Sequence, residues 1–392
     1  MKKWTITMFV AALAAVTGAA QSLDDLNIQI HGYATQGFLY STNNNLFTTN
    51  SSSGSPAWTE AVINITSQPY PKLRVGAQGR YELLGNIGGT TLSLDWAEAD
   101  YRYNDKLGMR FGKVKTPDAL FNEVQDIDPA YIWSLLPQSI YPLTSRNSFL
   151  SHYGGVAYGT LQPDKRLGKL EYRVFGGEGV DVANDPTLTL GEENSPVQLP
   201  NGWTGTLYGG TLHWVTPLKG LMVGSSDLAY QYWSSLATLN TGTTTINGSQ
   251  YSWPCQYYWN YAQYEHDKVM VAGEYSRQQY AGGTTFPTDP SANSTFRVDV
   301  RAWYAMATYR LASKLIAGIY DSQSFDHQQP LQPVRYSKDW AISGRYDFNT
   351  YLYLKAEQHF VDGTALGYDA NTNAGGLRTT TRLTLLKMGV NF

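Results

Sequence analysis

The chain has 392 residues, with 29 basic and 32 acidic side chains, and it contains 29 tyrosines, 37 glycines and 11 tryptophans. One cysteine, Cys255, excludes an intrachain disulfide bond and a zinc site built from cysteines. The nearly balanced charge gives no indication of nucleic acid as a partner. A chain rich in tyrosine, tryptophan and glycine fits short alternating strands with aromatic residues at a membrane interface.

The amino terminus has the pattern of a secretory signal peptide. Lys2 and Lys3 precede an apolar run over residues 6–16, and small residues follow as far as Ala20. The run is shorter than the stretch of about 20 apolar residues that a transmembrane helix needs. We therefore expect residues 1–20 to be a signal peptide and residues 21–392 to form one exported domain.

The exported part reads as an all-β protein. Segments of about ten residues alternate apolar and polar side chains, which is the pattern of a transmembrane antiparallel up-and-down β-barrel. In the clearest segment, 72–83, leucine, valine and tyrosine alternate with lysine, arginine and glutamate. About sixteen strands are predicted, at residues 28–40, 58–66, 72–83, 91–103, 106–114, 153–162, 168–176, 205–216, 221–233, 255–265, 268–278, 298–311, 314–322, 338–348, 350–361 and 380–392.

One predicted strand changes register. Leu94 and Trp96 share a face, whereas Ala97 and Tyr101 continue the apolar pattern on the opposite face, so a β-bulge near Trp96 is expected. Tight turns between strands would face the periplasm, and longer polar loops would lie outside. Outer loops rich in Asn, Thr, Gly and Ser are predicted at residues 42–56, 178–202, 237–252, 281–296, 324–335 and 362–378.

The connection over residues 115–151 differs from the other loops, because prolines and charged residues stand among several apolar ones. This composition predicts a folded segment, with short helices over residues 118–124 and 129–135. A barrel of about sixteen strands encloses a wide lumen, and a long inward-folded constriction loop would narrow it. A loop that covers the surface is the alternative. The candidate constriction residues of this loop are Asp118, Glu123, Asp126, Asp128 and Arg146.

Strand parity also places basic side chains on the inner wall of the predicted barrel. If they face the acids of the loop, the two sets would create a transverse field that selects ions by charge. The alternative is that these cations pair with neighbouring acids of the wall and have no part in selectivity. The candidate wall residues are Lys72, Arg74, Arg80, Arg102, Arg110, Arg173, Arg301, Arg345 and Lys355.

Two features resemble known bacterial families. The last strand alternates and stops on Phe392, which resembles the terminal assembly signal of Gram-negative outer-membrane β-barrels. Residues 110–117 (RFGKVKTP), with Asn122 and Glu123, and residues 136–142 (LPQSIYP) are similar to outer-membrane porins related to the general diffusion and phosphate-selective porins. Phosphate specificity itself is not implied, because the chain has no dense ladder of lysines.

The resemblance implies a passive, water-filled channel in the bacterial outer membrane, surrounded by lipid and open to small hydrophilic solutes and ions. It is compatible with a homotrimer, and it implies no cofactor, no metal and no covalent chemistry. An alternative is a carbohydrate or oligosaccharide channel, which would need inward aromatic rings from several strands near the constriction. A barrel enzyme is disfavoured because the six histidines stand outside any nucleophile motif. A plugged structural barrel is disfavoured by the strand number.

Overall fold

The computed structural model describes residues 27–85, 92–181, 196–369 and 371–392, and the predicted signal peptide lies outside the described residues. The described residues contain one α-helix, α1 (Arg146–Leu150). Their strands are β1 (Gln29–Ser41), β2 (Ser55–Tyr70), β3 (Leu73–Leu84), β4 (Ser93–Asn104), β5 (Leu107–Lys115), β6 (Ser151–Leu161), β7 (Lys169–Asp181), β8 (Val197–Gln198), β9 (Trp203–Val215), β10 (Leu221–Asn240), β11 (Thr245–Ser252), β12 (Cys255–His266), β13 (Val269–Thr285), β14 (Ser294–Ala312), β15 (Leu315–Asp326), β16 (Tyr336–Asp347), β17 (Leu352–Gly363) and β18 (Thr380–Asn391).

Sixteen of these strands close an antiparallel barrel. Each pairs with its neighbour along the chain, with β7 paired to β9 and β10 to β12, and β18 returns to pair with β1. The short β8 and β11 pair with the far ends of β10 and β13, beyond the barrel. The predicted all-β barrel of about sixteen strands is therefore confirmed.

The predicted loop over residues 237–252 is wrong, because β10 continues to Asn240 and β11 covers Thr245–Ser252 in a protruding hairpin. Its residues are mostly threonine, serine, asparagine and glycine, so the segment has no apolar face for a pattern to show. Threonine nevertheless favours extended backbone, and pairing with the ends of β10 and β13 supplies the hydrogen bonds.

The two faces of the barrel differ in the way a membrane requires. Large apolar side chains lie exposed on the outer face, among them Ile63, Phe111, Leu212 and Ile342. Charged and polar side chains of the same strands are buried inside, as Arg80 and Glu82 are in β3. A closed sheet with an apolar exterior leaves no unpaired edge in lipid. Among the described residues, no α-helix is both long and apolar enough to cross a bilayer.

The predicted bulge near Trp96 is confirmed. β3 pairs Gln78 with Trp96 but pairs the next residue, Gly79, with Leu94, so one extra residue of β4 has no opposite partner. Both Asp95 and Trp96 are buried as a result, whereas Leu94 stays exposed outside. The bulge thus turns the Asp95 carboxylate into the lumen without exposing it to lipid.

Residues 116–150, which we call the lumen loop, fold into the barrel. Ile132, Trp133 and Leu136 pack against the inner wall, where they contact Tyr304 and Tyr320. The two helices predicted over residues 118–124 and 129–135 are wrong. Turns occupy these positions, with one 3₁₀ segment at Asp128–Ala130, followed by Leu143–Ser145 and α1.

The wall explains why no helix forms in the middle of this loop. In the predicted helix 129–135, a carboxylate of the wall accepts backbone N–H groups that an α-helix would bond internally: Glu357 accepts those of Ser134 and Leu135. In the predicted helix 118–124, the wall carboxylate of Glu274 accepts the N–H of Leu120 at 3.1 Å, a first-turn N–H that has no acceptor within a helix. Local helix propensity is weak in such short segments, so tertiary hydrogen bonds decide the conformation.

Candidate pore constriction

Asp128 is the most heavily bound acid of the lumen loop. Its carboxylate lies 2.6 Å from the Lys387 ammonium and 3.0 Å from that of Lys355, and it accepts a hydrogen bond from the Tyr353 hydroxyl. Burial opposes ionisation of Asp128, but Lys355 and Lys387 outweigh it and hold the pKa of this carboxyl well below its usual range. Asp128 therefore carries a charge that the two wall lysines neutralise.

The same ion network continues along the wall. The Lys387 ammonium lies 3.6 Å from the Glu60 carboxylate, which pairs with Arg80 at 2.9 Å, and Arg80 pairs with Glu82 at 2.5 Å. These side chains are all under 10% exposed. We call Glu60, Arg80, Glu82, Asp128, Lys355 and Lys387 the Asp128 network; it holds three cations and three anions.

A second buried network holds the other end of the loop. Arg146 donates two hydrogen bonds of 2.9 Å to the carboxylate of Asp95, the residue that the bulge turns inward. The Gln78 amide donates to both Asp95 and Asp126, and Asp126 pairs with Lys115 at 2.7 Å. Here too the formal charges balance, with two cations and two anions.

The two networks fix the loop but present little charge to water. An ion pair under 10% exposed loses hydration that its partners must replace, and removing one member leaves an unpaired buried charge. Because each network is internally neutral, its field at a distance is weak. These ion pairs and hydrogen bonds join the lumen loop to the barrel wall.

Glu123 belongs to a more accessible group. Its carboxylate lies 2.8 Å from Arg110 and 3.2 Å from Arg173, and Arg110 also lies 3.6 Å from Asp100. The side chains of these four residues are 15–26% exposed. Burial opposes ionisation of Glu123, but Arg173 and Arg110 keep its pKa below the ordinary value. We call these residues and their neighbours the lumen-facing cluster, whose partly exposed members are Asp100, Arg110, Glu123, Glu171, Arg173 and His213.

Asp118 has a different environment from the other acids of the loop. It is 1% exposed, one carboxylate oxygen accepts the N–H of Ala119, and the other has no partner among the described residues. Burial raises the pKa of Asp118 well above its ordinary value. The expectation that this acid faces a wall cation is wrong, because its carboxylate forms no ion pair among the described residues and the charged groups that act on it are the carboxylates of Glu274 and Glu123.

Apart from Arg301, the predicted wall cations fall into two sets. Arg80, Arg110, Arg173, Arg345 and Lys355 lie inside the barrel beside the lumen loop or its anchors. Lys72, Arg74 and Arg102 lie at the rim near the tight turns: Lys72 is exposed, Arg74 is half exposed beside Glu98, and Arg102 pairs with Asp105. For Lys72 and Arg102 the wall assignment is wrong, since both extend into solvent at the barrel end.

Arg301 is not a lumen residue. Ala302 and Tyr304 are buried on the inner face of β14, which faces the lumen loop. Strand alternation therefore places Arg301 on the outer face. It pairs across the sheet with Phe325, which also points outward. The sequence prediction failed here because the segment carries apolar residues on both faces, and alternation alone does not say which face is inside.

Comparison with solved structures identifies the architecture. OmpF of Salmonella typhi, in a complex with daunomycin, superimposes with a TM-score of 0.57 and 14% identity, covering 95% of this chain and 99% of that chain. A loop-deletion mutant of OmpT of Vibrio cholerae gives 0.56 and 12%, covering 93% and 99%. An anion-selective porin from Comamonas acidovorans gives 0.53 and 8%, covering 93% and 99%. The chain has the fold of the outer-membrane porins.

No protein-family model and no curated protein matches the chain. The porin fold is therefore shown by structure alone. The candidate constriction residues are assigned from the contacts in this chain, because no relative supplies them. Several were missed from sequence: Lys387 and Glu60 have the same inward parity as their neighbours but stand singly in apolar strands, and Asp95 becomes inward only through the bulge.

Phe392, the predicted assembly signal, completes the barrel closure. Its N–H donates to the Gly32 carbonyl, and its carbonyl accepts the Gly32 N–H, each at 3.0 Å. The ring is 61% exposed, on the same outer face as Val390 and Met388. Its role as an assembly signal stays a prediction.

Proposed function

We propose that this porin-fold chain forms an outer-membrane channel through which small hydrophilic solutes and ions diffuse passively. The observation that supports it best is the division of the lumen charges. The two buried networks hold the lumen loop, while the lumen-facing cluster around Glu123 keeps charged side chains partly in contact with water. Charged groups on an aqueous lumen wall select ions by sign and field strength.

The contacts of His359 support a channel rather than a hydrolase that uses this histidine. His359 is bound on both ring nitrogens, by Asp339 at 2.9 Å and by Glu357 at 3.0 Å. Glu357 in turn accepts N–H groups of the lumen loop. His359 thus has a structural partner on each side and is 1% exposed.

The test is single-channel conductance of the refolded protein in a planar bilayer under a salt gradient, with Glu123→Gln beside the wild type. Removing the carboxylate leaves Arg110 and Arg173 without their shared partner. A unit charge about 7 Å from an ion in water contributes about 0.6 kcal/mol, so the permeability ratio should move about threefold toward anions after screening by salt.

Asp118→Asn is the matched control, because that acid is buried and burial favours its uncharged form by raising its pKa. We expect its reversal potential to equal that of the wild type. Absence of conductance from a folded barrel would contradict the channel, and an unchanged reversal potential in Glu123→Gln would contradict the selectivity assignment.

A second candidate, an oligosaccharide channel, has one specific observation in its favour. Rings of β12 and of the lumen loop line one cavity of about 70 Å³. Tyr257 stacks with Trp259 at 6.1 Å and with Tyr280 at 6.5 Å, and Phe149 of α1 meets Tyr257 edge-on. Block of the current by maltooligosaccharides, lost in Phe149→Ala, would favour this candidate, and no block would favour general diffusion.

A further inference from the structure

The outer face of β14, β15 and β16 carries a row of aromatic rings with cations beside it. Trp303 stacks on Phe325 at 5.4 Å and 19°, and Phe325 stacks on Tyr336 at 6.1 Å and 27°. The Lys338 ammonium lies 5.1 Å from the Tyr336 ring and 6.0 Å from the Phe325 ring. Strand parity directs all of these side chains away from the lumen, since the alternating residues Tyr304, Ser322 and Asp339 are buried inside.

Arginines continue this row toward β13. Arg277 makes two hydrogen bonds of 2.8 Å to Asp299, and Arg301 lies 3.6 Å from the same carboxylate. One acid thus serves two guanidinium groups. The Arg301 side chain is 41% exposed and its Nε has no partner among the described residues. Lys338 is 42% exposed and lies 3.9 Å from Asp362, so three cations face two acids.

This patch lies at the height on the barrel where the hydrocarbon core of the membrane is expected to end. A transmembrane strand spans the bilayer in about 9–11 residues. Counted from the tight-turn end, Arg277, Lys338, Phe325 and Arg301 are the ninth, tenth, eleventh and twelfth residues of their strands. Below them the outer face is apolar, as at Ile319 and Ile342. The cations therefore lie where acyl chains end and headgroups begin on the side of the long loops.

We propose that Arg301 and Lys338, with the stacked rings of Trp303, Phe325 and Tyr336, form a binding site for the phosphate-bearing headgroup of an anionic lipid in the outer leaflet. Arginine and lysine donate charge-assisted hydrogen bonds to phosphate oxygens. Aromatic rings with an apolar body and a polar edge are enriched at the interface of membrane and water. The first acyl carbons rest on the rings, and the phosphate lies between the two cations.

Lipid titration followed by native mass spectrometry tests the site on the full refolded protein. The probes are a phosphatidylglycerol and the diacylglycerol with the same acyl chains, which lacks the phosphate. The variant is Arg301→Gln with Lys338→Gln. The control is Arg382→Gln, because Arg382 is exposed and is the tenth residue from the tight-turn end of β18, at the same height.

We expect the wild type and Arg382→Gln to bind one phosphatidylglycerol with equal affinity, the double variant to bind it at least fivefold more weakly, and diacylglycerol to show no preference among the three. Equal binding by the double variant, or an equal loss in Arg382→Gln, would overturn the site. Displacement of the lipid by equimolar inorganic phosphate would overturn its assignment to lipid. Wild-type conductance in the double variant shows that the barrel is folded.

Discussion

The charge of Asp128 is the best point at which to test how the lumen loop is held. Asp128→Asn keeps the shape of the side chain but removes the anion between Lys355 and Lys387, which are buried with it. Breaking a buried ion pair costs roughly 3–5 kcal/mol. In the variant, the Lys387 ammonium retains its ion pair with Glu60, and the Lys355 ammonium retains its hydrogen bonds to the carbonyls of residue 128 and Trp133. Because both cations keep a partner, we expect a loss at the lower end of this range, about 3 kcal/mol in the free energy of unfolding.

The assay is equilibrium unfolding by guanidinium chloride of the protein refolded in lipid vesicles, followed by tryptophan fluorescence. Asp105→Asn is the matched control, because it removes the same charge from the exposed pair with Arg102 and should change stability little. A second variant, Asp128→Leu with Lys355→Met, removes a cation and an anion together and should recover much of the loss. Wild-type stability in Asp128→Asn would refute the assignment of the network as the anchor of the loop.

Three further predictions concern the outer face of β18, the backbone of β5 and the direction of Arg301. Leu386→Arg should lower the free energy of unfolding by about 2–4 kcal/mol if Leu386 faces the bilayer centre. Asn391→Arg at the strand end should lower it much less, and equal losses in the two variants would contradict the outward face of β18. Gly112→Ala should destabilise the barrel by about 1–3 kcal/mol, because φ is +133° and an added Cβ meets the Ala97 carbonyl. Gly344→Ala, where the added methyl meets open space, should be near neutral in the same unfolding experiment. Arg301→Gln should leave the reversal potential of the channel unchanged, while Arg110→Gln should move it toward cations; a shift in Arg301→Gln would return that side chain to the lumen.

Sequence reasoning predicted the strands well because alternation is a local property. Residues two apart lie on one face of a strand whatever the rest of the chain does, so the segment at 72–83 could be read without its neighbours. The bulge near Trp96 was also visible, since a change of parity within one strand requires an extra residue. The hairpin of β10 and β11 was missed because its polar residues have no apolar face.

The charged side chains show where local reasoning ends. Parity alone gave Arg80, Arg173 and Lys355 their inward positions, but it also placed Arg301 inside, since β14 has apolar residues on both faces. Whether a carboxylate is buried in an ion pair or remains in contact with water depends on the partner that it meets. Such partners can be far apart in the chain, as Asp128 and Lys387 are, at a separation of 259 residues. Periodicity carries no information about such pairs.

The sequence by itself thus determined an all-β barrel of about sixteen strands, the bulge, and a connection over residues 115–151 that differs from the other loops, because strand alternation and loop composition are local properties. Whether that connection enters the lumen was left to the tertiary structure. Only the tertiary structure decided which charges anchor that loop and which remain in contact with water. Burial and pairing are set when distant strands and the loop come together, and the electrostatic free energy of each group depends on that environment rather than on its residue type.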